Sequence, residues 1–157
     1  MNILVLCTGN SARSILAEVL LNSMSNDQIM AYSAGSKPVG AVNPFAIALL
    51  EEKGYSTNKL RSKSWDEFSH KDAAIMDVVI TVCGNAADEV CPVWPGAPVR
   101  VHWGFKDPAY IKDDQESKLA FEVTYKAIKN RIEQFLALPI HDLEAKALQN
   151  AMQKLST

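Results

Sequence analysis

Between Cys7 and Arg13 stand five small residues, Thr8, Gly9, Asn10, Ser11 and Ala12, and Ser14 follows directly. A loop of that composition can wrap a tetrahedral oxyanion. Gly9 permits backbone conformations with positive φ, and the short side chains of Thr8, Ser11 and Ala12 let main-chain N–H groups converge on one point. Arg13 can grip two oxygens through its guanidinium fork, where a lysine would offer a point charge. The same positive surroundings favour a thiolate at Cys7. An ordinary thiol is only about 3% ionised at neutral pH, whereas such surroundings can bring its pKa to roughly 3.5–7.5. Asn10 can hold the loop by hydrogen bonding within it, and the Ser14 hydroxyl can donate to the thiolate. The stretch does not fit G-x-x-x-x-G-K-[ST], so a nucleotide-phosphate loop is not implied.

Two further cysteines, Cys83 and Cys91, lie in TVCGNAADEVCPVWPGAP. Three cysteines at irregular spacing are not a disulfide framework; they read as core thiols, metal ligands or catalytic thiols. A metal set of Cys83, Cys91 and His102 lacks a C-x2-C pair and a clear fourth ligand, so no metal is expected. His70 and His141 fall in polar stretches and read as exposed bystanders. Trp94 and Trp103 suit either a shield over the site or the core.

The elements that must position these groups follow from periodicity. NILVL (2–6) reads as a buried strand, and 11–22 as a helix opened by Ser11. A second strand spans 29–35, closed by Gly35. The helix NPFAIALLEEKG has Asn43 as cap, Pro44 in the first turn and Gly54 as stop. A short helix is expected over 64–69, strands over 77–83 and 99–103, a long amphipathic helix over 115–138, and a last helix over 141–155 after Pro139. Alternating strands and helices predict one α/β domain over 1–157, an open four-stranded parallel sheet with helices on both faces. Ligands of such sheets bind beyond the strands' carboxyl ends, where Cys7 and Cys83 both fall.

The whole chain has 157 residues, 48% of them apolar and 22% charged, with a formal net charge of −2. That composition suits a soluble globular domain and offers no footing for nucleic acid or a membrane surface. No apolar run approaches the roughly 20 residues of a membrane span, and the N-terminus lacks the basic region of a signal peptide, so the expected compartment is the cytoplasm. A monomer is the default state.

CTGNSARS resembles the phosphate-binding loop of the low-molecular-weight protein tyrosine phosphatases, and still more that of the arsenate reductases built on their fold. YSAGS, HWGFKDPA and the paired downstream cysteines extend the resemblance over nearly the whole chain. The resemblance implies that Asp107, in an Asp-Pro pair, is a general acid, with Pro108 biasing its backbone toward an extended form. It further implies a relay that reduces arsenate to arsenite. Cys7 attacks arsenate, Cys83 attacks Cys7 and expels arsenite, and Cys91 attacks Cys83 to leave an 83–91 disulfide for an external dithiol. If the segment between them were helical, Cys83 and Cys91 would lie about 12 Å apart along the axis. Disulfide-linked Cα atoms are roughly 4.4–6.8 Å apart. Residues 83–98 are therefore expected to be mobile.

The sequence contains no second dithiol motif of its own, so no cofactor is expected and the electrons come from outside. Thioredoxin is the first choice, since a glutathione-coupled route through glutaredoxin would not require Cys91. Phosphate and sulfate are expected to compete with arsenate. The alternative enzyme is a low-molecular-weight phosphatase hydrolysing phosphotyrosine or aryl phosphates through a Cys7 phosphoenzyme, and weak phosphatase activity is expected in either case. The non-enzyme alternative is a redox-sensing or oxyanion-binding module. Some reductases of this family hold a potassium ion beside the loop, using the loop asparagine, a glutamate and an aspartate. Asn10 and Glu18 match the first two, whereas Lys63 stands near the aspartate's place, so its ammonium is expected to replace the ion and pair with Glu18.

Overall fold

The computed structural model describes residues 1–84, 94, 96 and 98–155. Four strands, β1 (Asn2–Leu6), β2 (Met30–Ala34), β3 (Val78–Thr81) and β4 (Val99–His102), form one parallel sheet in the order β2-β1-β3-β4. The helices are α1 (Arg13–Met24), α2 (Pro44–Glu52), α3 (Asp114–Leu136) and α4 (Ala145–Lys154), with 3-10 turns at Trp65–Phe68 and Pro108–Tyr110. No helix among the described residues is long and apolar enough to cross a membrane.

Strand side chains alternate between two cores. Ile3, Val5, Val78, Ile80 and Val101 join Ile15, Leu16, Leu20, Ile128, Ile132, Phe135 and Met152 on the face covered by the α-helices. Leu4, Leu6 and Val79 face the other way onto Phe68, Met76 and Trp94. The sheet thus has helical cover on both faces, but unequally: the second face is covered among the described residues by the short 3-10 turn and its neighbours. Burial of both faces explains why β1 is apolar at consecutive positions instead of alternating. Each fully buried Leu, Ile or Phe contributes about 1.5–3 kcal/mol.

β4 is an edge strand, and α4 covers that edge with polar side chains. Gln153 accepts from the His102 amide at 3.2 Å and donates to the His102 carbonyl at 3.1 Å, and Gln149 donates to the Arg100 carbonyl at 3.0 Å. An open edge invites another chain's strand; these amides occupy it.

Two predicted boundaries shift for local reasons. α1 begins at Arg13 because Ser11 and Ala12 belong to the preceding loop, Ala12 having φ −134 and ψ −83. The last helix begins at Ala145, since 141–144 form a turn that leads into an extended Glu144. α2 matches its signals closely: the Asn43 side chain accepts from the Phe45 amide, Pro44 opens the helix, and Gly54 follows the cap with φ 89. Strand order reverses direction at β1 and β3, so the crevice beyond their carboxyl ends is where such a sheet binds ligands.

Candidate active site

Cys7 leaves β1 with its amide bonded to the Ala34 carbonyl at 3.2 Å. The loop then runs against residues 35–43 and turns its carbonyls outward. The Thr8, Gly9 and Ser11 carbonyls accept from the amides of Lys37, Val39 and Asn43 at 3.0, 3.1 and 2.9 Å, and the Ser62 hydroxyl adds a 3.0 Å bond to the Gly9 carbonyl. In a trans peptide the next residue's N–H points opposite to the carbonyl. The amides of Gly9, Asn10 and Ala12 are therefore turned inward, as an anion cradle needs. The positive φ lies at Asn10 (46°), not at Gly9 as the sequence suggests. Asn10 is fully buried and held from both ends, donating to the Ser14 hydroxyl at 2.9 Å and accepting the Lys63 amide at 2.9 Å. These bonds hold a conformation that asparagine tolerates better than most residues.

α1 starts at the end of this loop with no side-chain cap on its first turn. Its uncapped first-turn N–H groups and the positive end of its dipole are left to an incoming anion. Arg13, in that first turn, donates to the Phe105 carbonyl at 2.8 Å and lies 3.3 Å from the Asp107 carboxylate. Asp107 caps the Pro108–Tyr110 turn by accepting from the Ala109 amide at 2.9 Å. Cys7 to Arg13, Cys83 and Asp107 all line one cleft of about 500 Å³, and Ser14 is buried behind it. The structure therefore brings together every predicted site residue except Cys91, which lies outside the described residues, as does most of the segment expected to move. His102 bonds Thr81 at 2.7 Å through Nδ1, Trp94 and Trp103 are buried in the two cores, and His70 and His141 are exposed.

The thiols give a correction. Cys83 Sγ accepts from the Thr8 amide at 3.3 Å, and the Cys83 side chain is hydrogen-bonded to that of Cys7. That bond, followed by burial, pushes the Cys7 thiol well above its ordinary range; Arg13 and the Thr8 amide pull it down less strongly. The expected resting thiolate is thus opposed by a neighbour 76 residues away in sequence, a separation no loop motif reveals. Cys83→Ala removes the largest upward cause, so the pH profile of iodoacetamide alkylation at Cys7 should move toward lower pH. Peptide mass spectrometry of Cys7 would read this, and an unmoved or alkaline-shifted profile would contradict it.

Behind the loop, Lys63 is buried, its ammonium 3.7 Å from Glu18, 3.1 Å from the Arg61 carbonyl and 3.4 Å from the Ser33 hydroxyl. Burial raises the Glu18 pKa, offset by Lys63, and lowers that of Lys63, offset by Glu18. A potassium ion does not fit there, because the ammonium already takes its place against the carboxylate. Potassium should therefore stabilise the protein no more than sodium at equal ionic strength. Lys63→Met, which strands a buried carboxylate, should cost about 3 kcal/mol in urea unfolding. A cost under about 0.5 kcal/mol, or a potassium-specific rise in melting temperature, would reject this pairing.

Three residues were not singled out as site residues in the sequence. Lys37 lines the cleft and adds a second cation to it. Gly35 lies under the loop, where a Cβ would meet the Thr8 carbonyl at 2.5 Å. Arg131 stacks on Phe105 and Trp103, at 5.0 and 5.8 Å from the ring centroids, and so backs the segment that holds Arg13 and carries Asp107. Only Gly35 lies in a quoted motif, YSAGS, and the role of each is found only when distant segments meet.

A parallel sheet whose switch point presents a cysteine, an anion loop and an arginine paired with an aspartate defines an oxyanion-handling α/β protein. The chain belongs to the low molecular weight phosphotyrosine protein phosphatase family, whose pattern matches residues 2–153. Among relatives, an arsenate reductase of Halalkalibacterium halodurans is 41% identical over 131 residues, 83% of this chain and 91% of that one. A solved arsenate reductase in its phosphate-binding state superposes with TM-score 0.65 at 29% identity, over 87% of this chain and 96% of its own. The thioredoxin-dependent arsenate reductase of Corynebacterium glutamicum superposes with TM-score 0.59 at 25% identity, over 84% of this chain and 60% of its own.

Proposed function

We propose that this protein reduces arsenate to arsenite by a three-thiol relay, with thioredoxin as electron donor. The observation that carries the reading is the seat of Cys83, whose sulfur accepts from the Thr8 amide and which lines the same cleft as Cys7. A hydrolytic phosphatase needs one thiol there; a second in contact with the first is what a disulfide-forming step needs. The relatives' names support the substrate, and the C. glutamicum enzyme supports the donor.

Arsenate binds with its oxygens on the inward amides, the α1 N-terminus and Arg13, which shifts from its resting partners. Cys7 thiolate attacks arsenic, and Asp107 protonates the departing oxygen so that water leaves. Cys83 thiolate then attacks Cys7 sulfur. The Cys7–arsenic bond breaks, its electron pair stays on arsenic, arsenite departs and a 7–83 disulfide forms. Cys91 thiolate attacks Cys83, returning Cys7 as thiolate and leaving an 83–91 disulfide that thioredoxin reduces. Thr8, Gly9, Asn10, Ser11 and Ala12 cradle the oxyanion, and Ser14 holds Asn10.

The test is arsenate-dependent NADPH oxidation with thioredoxin and thioredoxin reductase. Wild type should turn over continuously, and Cys91→Ser should stop after at most one turnover. Sustained turnover in Cys91→Ser would mean that thioredoxin reduces the 7–83 disulfide directly and would remove Cys91 from the relay; turnover only when glutathione and glutaredoxin replace thioredoxin would move the donor to them. Absence of arsenate turnover, with brisk hydrolysis of an aryl phosphate, would instead make this a phosphatase.

A further inference from the structure

We propose that the reduced Cys7–Cys83 pair is also a chelating site for trivalent arsenicals, the product class of the reaction proposed above. It rests on that reading only for the ligand met in the cell; the capture chemistry needs the two thiols alone. β1 and β3 are hydrogen-bonded neighbours with Leu6 opposite Thr81, and the Val82 amide still bonds the Leu6 carbonyl at 2.9 Å. Two residues further along the same register, Thr8 stands beside Cys83, whose sulfur is 3.3 Å from the Thr8 amide and 3.6 Å from its hydroxyl. Cys7 and Cys83 thus line one cleft of about 500 Å³, which has room for an aryl group beside them.

Trivalent arsenic is soft and prefers thiolate to oxygen ligands. With arsenous acid, two As–O bonds break and two As–S bonds form. Each cysteine proton leaves with a hydroxyl group as water, arsenic stays trivalent and no reductant is consumed. The second bond is intramolecular, so the pair should bind about 10²–10⁴-fold more tightly than one thiol. The complex ties up the nucleophile and its first resolving thiol together. It is a dead end that lets accumulated product arrest the enzyme while it is reduced, and it cannot form once either cysteine is in a disulfide.

The probe is phenylarsine oxide, added to the full chain kept reduced with a phosphine and followed by native mass spectrometry. One equivalent should bind wild type and Cys91→Ser with similar affinity and resist a monothiol wash. Cys83→Ala should bind at least about a hundredfold more weakly and lose the probe on washing. Wild-type affinity in Cys83→Ala, or loss of capture in Cys91→Ser, overturns the proposal. Wild type alone gives a second reading that does not depend on how a variant folds. Bound probe should protect Cys7 and Cys83 from N-ethylmaleimide and leave Cys91 reactive; protection of Cys83 and Cys91 with Cys7 reactive overturns it. Capture without arsenate turnover would retain this site and remove the reductase reading, and turnover without capture would do the reverse.

Discussion

Asp107→Asn should lower arsenate kcat/KM by about 10²–10⁴-fold while leaving the melting temperature within a few degrees of wild type. The two halves of that expectation come from different atoms. One carboxylate oxygen accepts from the Ala109 amide at 2.9 Å, and an asparagine oxygen can do the same, so the turn at Pro108 keeps its cap. The other oxygen lies 3.3 Å from Arg13, whose guanidinium keeps its 2.8 Å bond to the Phe105 carbonyl when the charge at position 107 is lost. What asparagine lacks is a proton to give. The loss should therefore fall on the step that expels oxygen from arsenic, read as slower single-turnover release of arsenite. Reduction of the oxidised protein by thioredoxin should keep its rate, because no oxygen leaves there. An aryl phosphate with a good leaving group should suffer a smaller loss than a poor one. A kcat/KM for arsenate within threefold of wild type would remove Asp107 from the chemistry.

How much of this was legible in the sequence depends on how local each feature is. The anion loop was, because Cys7 to Arg13 is contiguous and sits between a strand and a helix whose signals are strong. The placing of Cys83 beside it was half-legible: a thiol at a strand's carboxyl end belongs on that edge of a parallel sheet, but which strands are neighbours is set by the order β2-β1-β3-β4. Its effect on Cys7 was not, since it arises from contact between two chain segments and outweighs the downward pull of Arg13. Residue type also misled about the backbone. Glycine is the usual bearer of positive φ, yet Asn10 carries it, because the Lys63 amide and the Ser14 hydroxyl hold its side chain from either side. The predicted pairing of Lys63 with Glu18 is present at 3.7 Å, although its burial under the loop could be seen only once β2 and residues 61–64 were placed.

Gly35→Ala is expected to damage the site more than any change within the loop's own glycine. Gly35 directly follows β2, and its amide and carbonyl pair with the Lys63 carbonyl and the Trp65 amide, both at 2.9 Å, so it cannot retreat without tearing those contacts. An added Cβ would sit 2.5 Å from the Thr8 carbonyl, 2.9 Å from the Cys7 carbonyl and 3.1 Å from the Asn10 Cβ. Two of these atoms are backbone, and the third belongs to a side chain locked by two hydrogen bonds, so the loop itself must move. Overpacking of this kind costs about 1–3 kcal/mol in stability. A displacement near 1 Å of the nucleophile and the anion cradle costs about a hundredfold in rate. Gly9→Ala is the contrasting variant. Gly9 is not in the positive-φ region, and a Cβ there meets only Val39 at 3.4 Å and Ser11 at 3.8 Å, ordinary contacts. Its stability should stay within about 1 kcal/mol of wild type. Urea unfolding with arsenate kinetics on both variants would decide the matter: equal stability of the two, or full activity in Gly35→Ala, would show that the loop does not rest on β2 as described. The glycine that shapes this anion loop is therefore the one outside it.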